Sequence, residues 1–382
     1  MTHQTPIIII GAGPAGLAMA GRLHANKLPF ILLEQSQEIT TTWRNHYDRL
    51  CLHTVKEFSN LPHAPFDESV PRYVPREQLV AYYQQYAEER GIQPQFGKEV
   101  VSVKRTGEGW LTETSDGDQY QSERVVVCTG FNRIMNLPQW PGMEDYQGQA
   151  FHSKYYQNGA EQAGKSVLVI GMGNSGAEIA VDLHEHGAKP SISVRHPVHI
   201  VLRDLGGRPT QLTSMKLRKL PHWLGDALGG LLVNIFVGNI NKYGLRRPKI
   251  APAKQLRKYG KTPVIDVGTL DILKSGHLTV YPGIDRFTAK GVRFTDGREA
   301  EFAAVVIATG YKAKVEDFIE DTNGLFNELG LPKAPYLANH PGLYFLGFDA
   351  YTSGILESIH RQSGDIMDHI LQQPQMASSG VA

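Results

Sequence analysis

Two glycine clusters contain the residues whose types and spacing point most directly to chemistry. Each cluster has the spacing G-x-G-x-x-G, and the second repeats the first at an offset of 160 residues. In such a unit the first glycine permits a tight turn, the second lets a pyrophosphate approach the backbone, and the third lets helix and strand pack closely. The predicted phosphate contacts are Gly11, Gly13, Pro14, Ala15 and Gly16 in the first cluster and Gly171, Gly173, Asn174, Ser175 and Gly176 in the second.

The segments around each cluster predict a β-α-β unit. Four aliphatic residues precede each cluster, and helices are predicted over 15–26 and 175–186. The N-terminus of each helix would offer unpaired N–H groups and the positive end of its dipole to phosphates. Further strands follow at 30–34 and 191–195. One such cluster is weak evidence, but two in this context indicate two dinucleotide sites.

The residues that end the second strand of each unit distinguish the two nucleotides. Glu34, followed by Gln35, lies 23 residues after Gly11. A carboxylate there accepts hydrogen bonds from ribose hydroxyls, as expected for FAD or NAD. Arg195, followed by His196, lies 24 residues after Gly171 and suits a 2′-phosphate, although a solvated strand-end charge is the alternative. The sequence therefore predicts FAD at the first site and NADPH, in preference to NADH, at the second.

A second repeat, offset by 180 residues, indicates how the chain is divided. An Asp-Gly turn and a buried strand ending in Thr-Gly occur in both halves, at Asp116-Gly117 and Thr129-Gly130 and at Asp296-Gly297 and Thr309-Gly310. We therefore predict an α/β protein with two dinucleotide-binding Rossmann-type domains, the NADPH domain inserted into the FAD domain. The predicted divisions are 1–150 and 311–382 for the FAD domain and 151–310 for the NADPH domain.

Composition excludes several classes of protein. The formal net charge of +1 over 382 residues excludes a protein-wide basic field for nucleic acid or anionic lipid. Cys51 and Cys128 are the only cysteines and stand far apart, which excludes a disulfide framework and a cysteine-built zinc site and favours free thiols in the cytoplasm. No metal site is predicted. The apolar start lacks the basic region of a signal peptide, and no stretch has the roughly 20 apolar residues of a membrane span.

At this point the sequence resembles the flavin-containing monooxygenases, and within them the short indole-pyruvate (YUCCA-like) type and its bacterial relatives. Tyr146, Gly148, His152 and Tyr156 are similar to the motif F-x-G-x-x-x-H-x-x-x-[F/Y], with Tyr in the first position. An ending in Tyr156, without the Trp and following Pro or Asp of the Baeyer–Villiger enzymes, argues against that type. The resemblance extends from about residue 6 to about residue 370.

The resemblance implies further cofactor contacts and a reaction. NADPH would reduce FAD, dioxygen would add to the reduced flavin, and the peroxyflavin would oxygenate a small soft nucleophile (sulfur or nitrogen) or a 2-oxo acid. The flavin supplies the reactive oxygen, so no catalytic triad is required. The further contacts implied are Trp43, Arg44, Val100, Thr129, Gly130, Ala308, Thr309, Gly310 and Tyr311.

Two residues are the candidates for a catalytic role. The larger monooxygenases place an Asn near the flavin, and counting back from Leu61 puts His53 at that position here. His53 is predicted either to donate a hydrogen bond near the flavin or merely to pack beneath it. Asn174 is predicted to touch the nicotinamide or the flavin edge, although Asn at a helix start is also a favoured N-cap. His152 is expected to position the linker between domains, with no part in proton transfer.

The segment from about 205 to 262 is predicted to form the substrate wall. Its apolar stretch, Trp223 to Ile240, is expected to be a buried helix or a lid over a pocket. Basic residues at its ends, such as Lys216 and Lys249, are typical of a solvated face, and a homodimer surface or an entrance for an anionic substrate remain open.

Other functions remain for a protein with two nucleotide sites. A disulfide reductase needs a redox cysteine pair, which this chain lacks. A reductase that passes electrons to a protein or quinone acceptor and a redox-sensing flavoprotein are the alternatives. Sustained oxygenation of a small molecule would distinguish the predicted monooxygenase from both.

Overall fold

The computed structural model describes residues 1–107, 109–349 and 353–373. In these residues the strands are β1 (Thr2–Ile10), β2 (Ile31–Leu33), β3 (Val100–Thr106), β4 (Gly109–Thr114), β5 (Gln119–Val127), β6 (Ile134–Met135), β7 (Gln149–His152), β8 (Ser166–Ile170), β9 (Lys189–Ser193), β10 (Ile200–Leu202), β11 (Asp204–Leu205), β12 (Arg208–Pro209), β13 (Val264–Asp266), β14 (Thr279–Tyr281), β15 (Ile284–Phe287), β16 (Gly291–Phe294), β17 (Glu299–Glu301), β18 (Ala304–Ile307), β19 (Tyr311–Lys312) and β20 (Leu343–Phe345). The α-helices are α1 (Pro14–Ala25), α2 (Thr41–Arg44), α3 (Arg76–Glu89), α4 (Asn174–Glu185), α5 (Thr210–Leu217), α6 (His222–Val237), α7 (Pro252–Tyr259), α8 (Thr269–Lys274) and α9 (Ile355–Gln372).

The first sheet explains why β1 ends in an unbroken apolar run. Strands β2, β1, β5 and β20 are parallel, and the first half of β5 continues the sheet through the antiparallel strands β4 and β3. Ile7 and Ile9 pack with residues of α1, α3 and α9, whereas Ile8 and Ile10 pack on the opposite face with Trp110. Because both faces are covered, the run shows no alternation of polar and apolar residues.

The second sheet is wholly parallel, in the order β14, β9, β8, β18, β7. Val167 and Val169 pack with α4, and Leu168 and Ile170 pack with the small antiparallel sheet β15–β16–β17. Each fingerprint therefore lies at the carboxyl ends of parallel strands, where open α/β sheets bind ligands.

The chain crosses between the two sheets twice, and the two crossings pair with each other. Met135 of β6 lies opposite Tyr311 of β19 in an antiparallel ladder. After the second crossing, β20 and α9 return to the first sheet, and α9 packs on α1. This connectivity confirms the predicted fold class, with one Rossmann-type unit inserted into the other. The divisions at residues 150 and 310 remain predictions.

The segment between β9 and β14 contains α6, for which the sequence predicted either a buried helix or a lid over a pocket, and the structure contradicts the first of these alternatives. It is helical, but only Val233 and Val237 are buried, and Trp223 is 73% exposed. The helix is not buried because it packs on one side only, against α5, α7 and β10. A role as a lid over a pocket stays a prediction. In the described part of the chain, no helix is long and apolar enough to cross a membrane.

Candidate active site

The first glycine cluster forms a tight connection between β1 and α1. Gly11 has a φ of +101°, and a Cβ placed on it would lie 2.9 Å from the carbonyl oxygen of Cys128. A Cβ on Gly16 would lie 1.9 Å from the carbonyl oxygen of Gly11. At Gly13, in contrast, a Cβ would have nothing within 4 Å. The backbone is therefore open at the start of α1, where a pyrophosphate would lie.

The second cluster repeats this geometry between β8 and α4. Gly171 has a φ of +103° and its Cβ would lie 2.6 Å from the carbonyl oxygen of Ala308, and a Cβ on Gly176 would lie 2.1 Å from that of Gly171. A Cβ on Gly173 again meets nothing within 4 Å. Neither α1 nor α4 has an acidic residue in its first turn or a side-chain cap, so both helix ends are free to bind phosphate.

The two Thr-Gly segments occupy equivalent places beside the two clusters. Thr129 follows Cys128, the residue that Gly11 approaches, and Thr309 follows Ala308, the residue that Gly171 approaches. Their environments differ, because the Oγ1 of Thr129 is buried without a hydrogen-bond partner in the described residues, whereas that of Thr309 donates to the carbonyl oxygen of Asn136 at 2.5 Å. Thr129 is therefore the better placed of the two to bind a cofactor.

Glu34 lies against the first cluster. Its carboxylate accepts hydrogen bonds from the backbone N–H of Ala12 at 2.7 Å and from the N–H and hydroxyl of Ser36 at 2.9 and 2.7 Å. Gln35 points into solvent. Val100 is buried at the start of β3, and the segment before it approaches β2 through the Lys98 N–H, which donates to the Glu34 carbonyl oxygen at 2.9 Å. Contact of Glu34 with the ribose of FAD stays a prediction.

Arg195 lies two residues after the end of β9, whereas Glu34 lies one residue after the end of β2, so the two side chains are not at equivalent positions. Gly11 donates its N–H to the carbonyl oxygen of Leu33, and Gly171 donates to that of Ser193. Glu34 therefore follows its strand pairing by one residue and Arg195 by two, the position that Gln35 has in the first unit. The Arg195 side chain is exposed and makes no hydrogen bond or ion pair with the described residues.

Arg246 and Lys261, which the sequence did not predict to bind a cofactor, contribute to the positive field around Arg195. Burial lowers the pKa of His196, and the positive charges of Arg195, Lys261 and Arg246 lower it further. Arg246 also donates to the carbonyl oxygen of Arg195 at 2.8 Å. Cations collected at a strand end suit a phosphate. Because Arg246 and Lys261 are distant from Arg195 in the sequence, no local pattern indicated that they would lie near it.

Trp43 and Arg44 end the short helix α2 near the first cluster. The N–H of Thr40 donates to the carbonyl oxygen of Ala12 at 3.1 Å, which brings α2 back to the glycines. Arg44 pairs with Glu38 at 3.3 Å and donates to the side-chain oxygen of Gln84 on α3 at 3.2 Å, so its guanidinium is engaged by protein groups. Contact of Trp43 and Arg44 with FAD stays a prediction.

A buried carboxylate faces the loop that carries His53. Oε1 of Glu178 on α4 lies 2.7 Å from Nε2 of His53, out of hydrogen-bond alignment, so neither buried atom has an aligned partner in the described residues. Burial raises the pKa of Tyr47 well above its usual value, and the charge and hydrogen bond of Glu178 raise it further, while the hydroxyl of Ser175 lowers it. Residues of both nucleotide-binding units therefore meet here. Glu178 was missed because the residues that it faces, His53 and Tyr47, are distant from it in the sequence.

Asn174 is the first residue of α4, with Gly173 at the N-cap position. Its side-chain oxygen accepts a hydrogen bond from the N–H of Ile265 at 2.7 Å, which ties the start of α4 to β13. Asn174 is thus not an N-cap, and Glu178 with its partner His53 lies one turn further along the helix. A contact between Asn174 and the nicotinamide stays a prediction.

His152, from the motif between Tyr146 and Tyr156, contacts the segment around β19 where the chain returns to the first sheet. Nδ1 of His152 accepts from the N–H of Lys154 at 3.1 Å, so Nε2 carries the proton and donates to the carbonyl oxygen of Gly310 at 3.2 Å. The Tyr311 ring lies edge-on to His152, with ring centroids 5.0 Å apart. Burial lowers the pKa of His152. With both nitrogens engaged and the ring neutral, His152 acts as a positioning residue.

Helix α4 presents a line of carboxylates to the first unit and the linker. Besides Glu178, Asp182 accepts a hydrogen bond from the Tyr156 hydroxyl at 2.5 Å, with both groups buried. Glu185 pairs with Arg49 at 3.2 Å nearer the surface. The helix whose N-terminus faces the second nucleotide site is thus fixed to the first unit along its length.

Gln211 of α5 is another residue that the sequence did not reveal. Its side-chain oxygen accepts from the N–H of Val55 at 2.8 Å, and its amide donates to the carbonyl oxygen of Ser353. It thereby joins the loop after His53 to the start of α9. A lone Gln in a loop-rich segment carries no distinguishing pattern.

Two surface cavities of about 410 and 460 Å³ lie away from these residues. They are lined by residues such as Ser166, Lys189 and Thr279, where strands of the second sheet begin. The fingerprints lie at the opposite edge, which is the edge where α/β sheets bind nucleotides. We therefore assign the site from the hydrogen bonding and backbone geometry of the fingerprints.

The profile of the Flavin-binding monooxygenase-like family matches residues 4–348. The chain belongs to this family. It is similar to the indole-3-pyruvate monooxygenase YUCCA1 of Oryza sativa subsp. japonica, with 41% identity over 348 residues that cover 89% of this chain and 86% of the relative. A flavin-containing monooxygenase from Stenotrophomonas maltophilia has the same fold at a TM-score of 0.73 and 20% identity, covering 97% and 98% of the two chains. An NADP+-bound cyclohexanone monooxygenase from Rhodococcus sp. Phi1 also has this fold, with a TM-score of 0.71 and 21% identity, and the match covers 97% of this chain and 85% of the other.

This flavin-binding monooxygenase-like enzyme uses FAD and NADPH as its cofactors. The residues present fit them, since the glycine backbones are open at Gly13 and Gly173 and the Thr129 hydroxyl lacks a partner in the described residues. Both cysteines are free, and Cys128 is buried.

Proposed function

We propose that this monooxygenase oxygenates a 2-oxo acid with an aromatic side chain, in the manner that the name of its rice relative describes for indole-3-pyruvate. The observation that carries the proposal is the 41% identity with that relative over most of both chains. S- or N-oxygenation of a small nucleophile is the competing substrate class.

In the proposed reaction the bond between the carboxyl carbon and the oxo carbon breaks. One oxygen atom of dioxygen joins the former oxo carbon to give a carboxylic acid one carbon shorter, and carbon dioxide leaves. The second oxygen atom leaves as water, reduced by the two electrons of NADPH. Bound FAD supplies the oxygen activation, and the protein supplies binding, orientation and electrostatics.

The chain's own residues support this chemistry by positioning. The starts of α1 and α4 would hold the two pyrophosphates, Glu34 the FAD ribose, and Arg195 with Arg246 and Lys261 the 2′-phosphate of NADPH. The contact between His53 and Glu178 would fix the loop beside the flavin against α4. Because the Nε2 atom of His53 and the Oε1 atom of Glu178 are buried, this contact would also help to keep water from the reacting centre.

A substrate panel tests the proposal. The holoenzyme is given indole-3-pyruvate, phenylpyruvate, a thioether and a tertiary amine, and NADPH consumption and products are measured together. We expect the aromatic 2-oxo acids to give the shortened acid and carbon dioxide in proportion to NADPH consumed. Oxygenation of the thioether or amine with no product from either oxo acid would overturn the substrate class.

We propose the cytoplasm as the location, supported by the two free thiols.

A further inference from the structure

Helix α6 exposes an apolar face that no described element covers. Trp223, Leu228, Leu231 and Ile235 are 73%, 37%, 54% and 65% exposed. Their spacing places them on one side of the helix, and we call them the α6 stripe. A surface helix of a globular protein normally turns such a stripe inward and its polar face outward.

The segment around the stripe is strongly basic. Residues 205–262 contain twelve Lys and Arg residues and a single acidic residue, Asp226, which pairs with Arg257 at 2.6 Å. The segment therefore has a formal charge of +11 in a chain whose total is +1, so the other residues together carry −10. The small net charge of the whole chain conceals this local field.

The helices that flank α6 carry many of these cations. A Cβ on Gly225 would lie 2.8 Å from the carbonyl oxygen of Leu217, so α6 approaches the end of α5 closely. The pair between Arg257 and Asp226 fixes α7 beside the first turns of α6. Exposed cations on and after these two helices are Lys216, Arg218, Lys219, Lys254, Arg257 and Lys258.

We propose that the α6 stripe docks this enzyme on the surface of an anionic phospholipid membrane. Tryptophan and aliphatic side chains bordered by Lys and Arg are the combination that lies in the headgroup region, with the apolar groups entering the acyl boundary and the cations contacting lipid phosphates. The 16 residues of α6 extend about 24 Å, so the helix lies on the bilayer without spanning it.

The positive charge of residues 205–262, together with the α6 stripe, favours an anionic membrane over a homodimer or a nucleic acid as the binding partner. A symmetric homodimer through the stripe would bring two segments of +11 face to face, which repel each other. A nucleic acid would bind the cations but would leave the stripe exposed to water. An anionic membrane would both bury the apolar side chains of the stripe and pair the cations with lipid phosphates.

Co-sedimentation of the holoenzyme with vesicles tests the proposal. Vesicles of phosphatidylcholine alone are compared with vesicles that also contain phosphatidylglycerol, for the wild type, Leu231→Asp and the matched control Leu371→Asp, which alters a leucine of α9 that is 55% exposed. Flavin absorbance and NADPH oxidation verify that each variant is folded.

We expect the wild type and Leu371→Asp to bind only the phosphatidylglycerol vesicles, and Leu231→Asp to remain in solution. Lys258→Gln is expected to weaken binding to the phosphatidylglycerol vesicles about fivefold, because one lysine near an anionic membrane surface contributes about 1 kcal/mol. Absence of binding, or binding unchanged in Leu231→Asp, overturns the proposal. So does a dimer of the wild type that Leu231→Asp dissociates without any change in vesicle binding. Because binding is measured without turnover, its failure leaves the proposed reaction untouched.

Discussion

Glu178 shows most clearly how a single residue connects the two nucleotide-binding units. Its buried carboxylate belongs to the helix of the second fingerprint, yet it faces His53 and Tyr47 of the first unit. A buried carboxylate without a partner is costly, so these contacts also restrict where the loop can lie. We infer that Glu178 positions the loop beside the flavin.

Glu178→Gln tests this role, because glutamine keeps the shape and removes the charge. We expect a fall of about tenfold in kcat/KM for the substrate, the value of a hydrogen bond to a charged group, and a larger share of NADPH consumed without product. The matched control is Glu185→Gln on the same helix, whose pair with Arg49 lies near the surface and contributes little. Equal behaviour of the two variants would show that Glu178 has no special place in the site.

Arg195→Ala tests which residue distinguishes NADPH from NADH. Loss of a charge-assisted pair with the 2′-phosphate should raise KM for NADPH about ten- to hundredfold and leave KM for NADH nearly unchanged. Steady-state kinetics with both cofactors measure this, with Arg293→Ala, an exposed residue paired with Asp285, as control. If both KM values rise equally, Arg195 does not bind the phosphate.

The sequence predicted some of these residues and missed others for a physical reason. Glu34 and the glycines were predictable because turn geometry and ribose binding fix their spacing within one β-α-β unit. Glu178 and Gln211 act across units, so their partners are distant in sequence and leave no local pattern.

The glycine clusters that precede α1 and α4 can be tested separately, because each is predicted to bind a different nucleotide. Gly13→Ala and Gly173→Ala place a methyl group in open space, so both proteins should fold. Gly13→Ala should weaken FAD binding about tenfold, and Gly173→Ala should keep FAD and raise KM for NADPH by a similar factor.

Flavin retained after gel filtration and steady-state kinetics measure these effects. Gly176→Ala is the contrasting variant, because its Cβ would lie 2.1 Å from the carbonyl oxygen of Gly171 and should prevent soluble folding. Loss of FAD from Gly173→Ala would contradict the assignment of one nucleotide to each fingerprint.

Helix and strand positions were predictable where periodicity is local. The helices predicted over 15–26 and 175–186 begin and end one residue earlier, at Pro14–Ala25 and Asn174–Glu185. The return of β20 to the first sheet and the exposure of α6 depend on tertiary pairing, which hydrophobicity along one segment does not report.

At the scale of the whole molecule, buried histidines make stability depend on pH. Burial lowers the pKa of His46, His152 and His199. In the unfolded chain these groups have a pKa of about 6.5 and accept protons that the folded state resists. Their contribution is therefore complete above about pH 6.5 and is lost as the pH falls towards their folded pKa values.

Urea denaturation of the holoenzyme measures this loss. We expect a lower midpoint at about pH 5.5 than at about pH 7.5, with a smaller drop in His199→Gln, which removes one of the three groups. A urea midpoint that stays constant or rises on acidification would show that these histidines do not lower the stability of the protein at acidic pH.

We propose that both nucleotide-binding units cooperate to transfer one atom of dioxygen to an aromatic 2-oxo acid. The most direct measurement is turnover of indole-3-pyruvate with NADPH under 18O-labelled dioxygen, followed by mass spectrometry of the acid product. We expect one labelled oxygen atom in the new carboxyl group. A product without label, formed while NADPH is consumed, would contradict it.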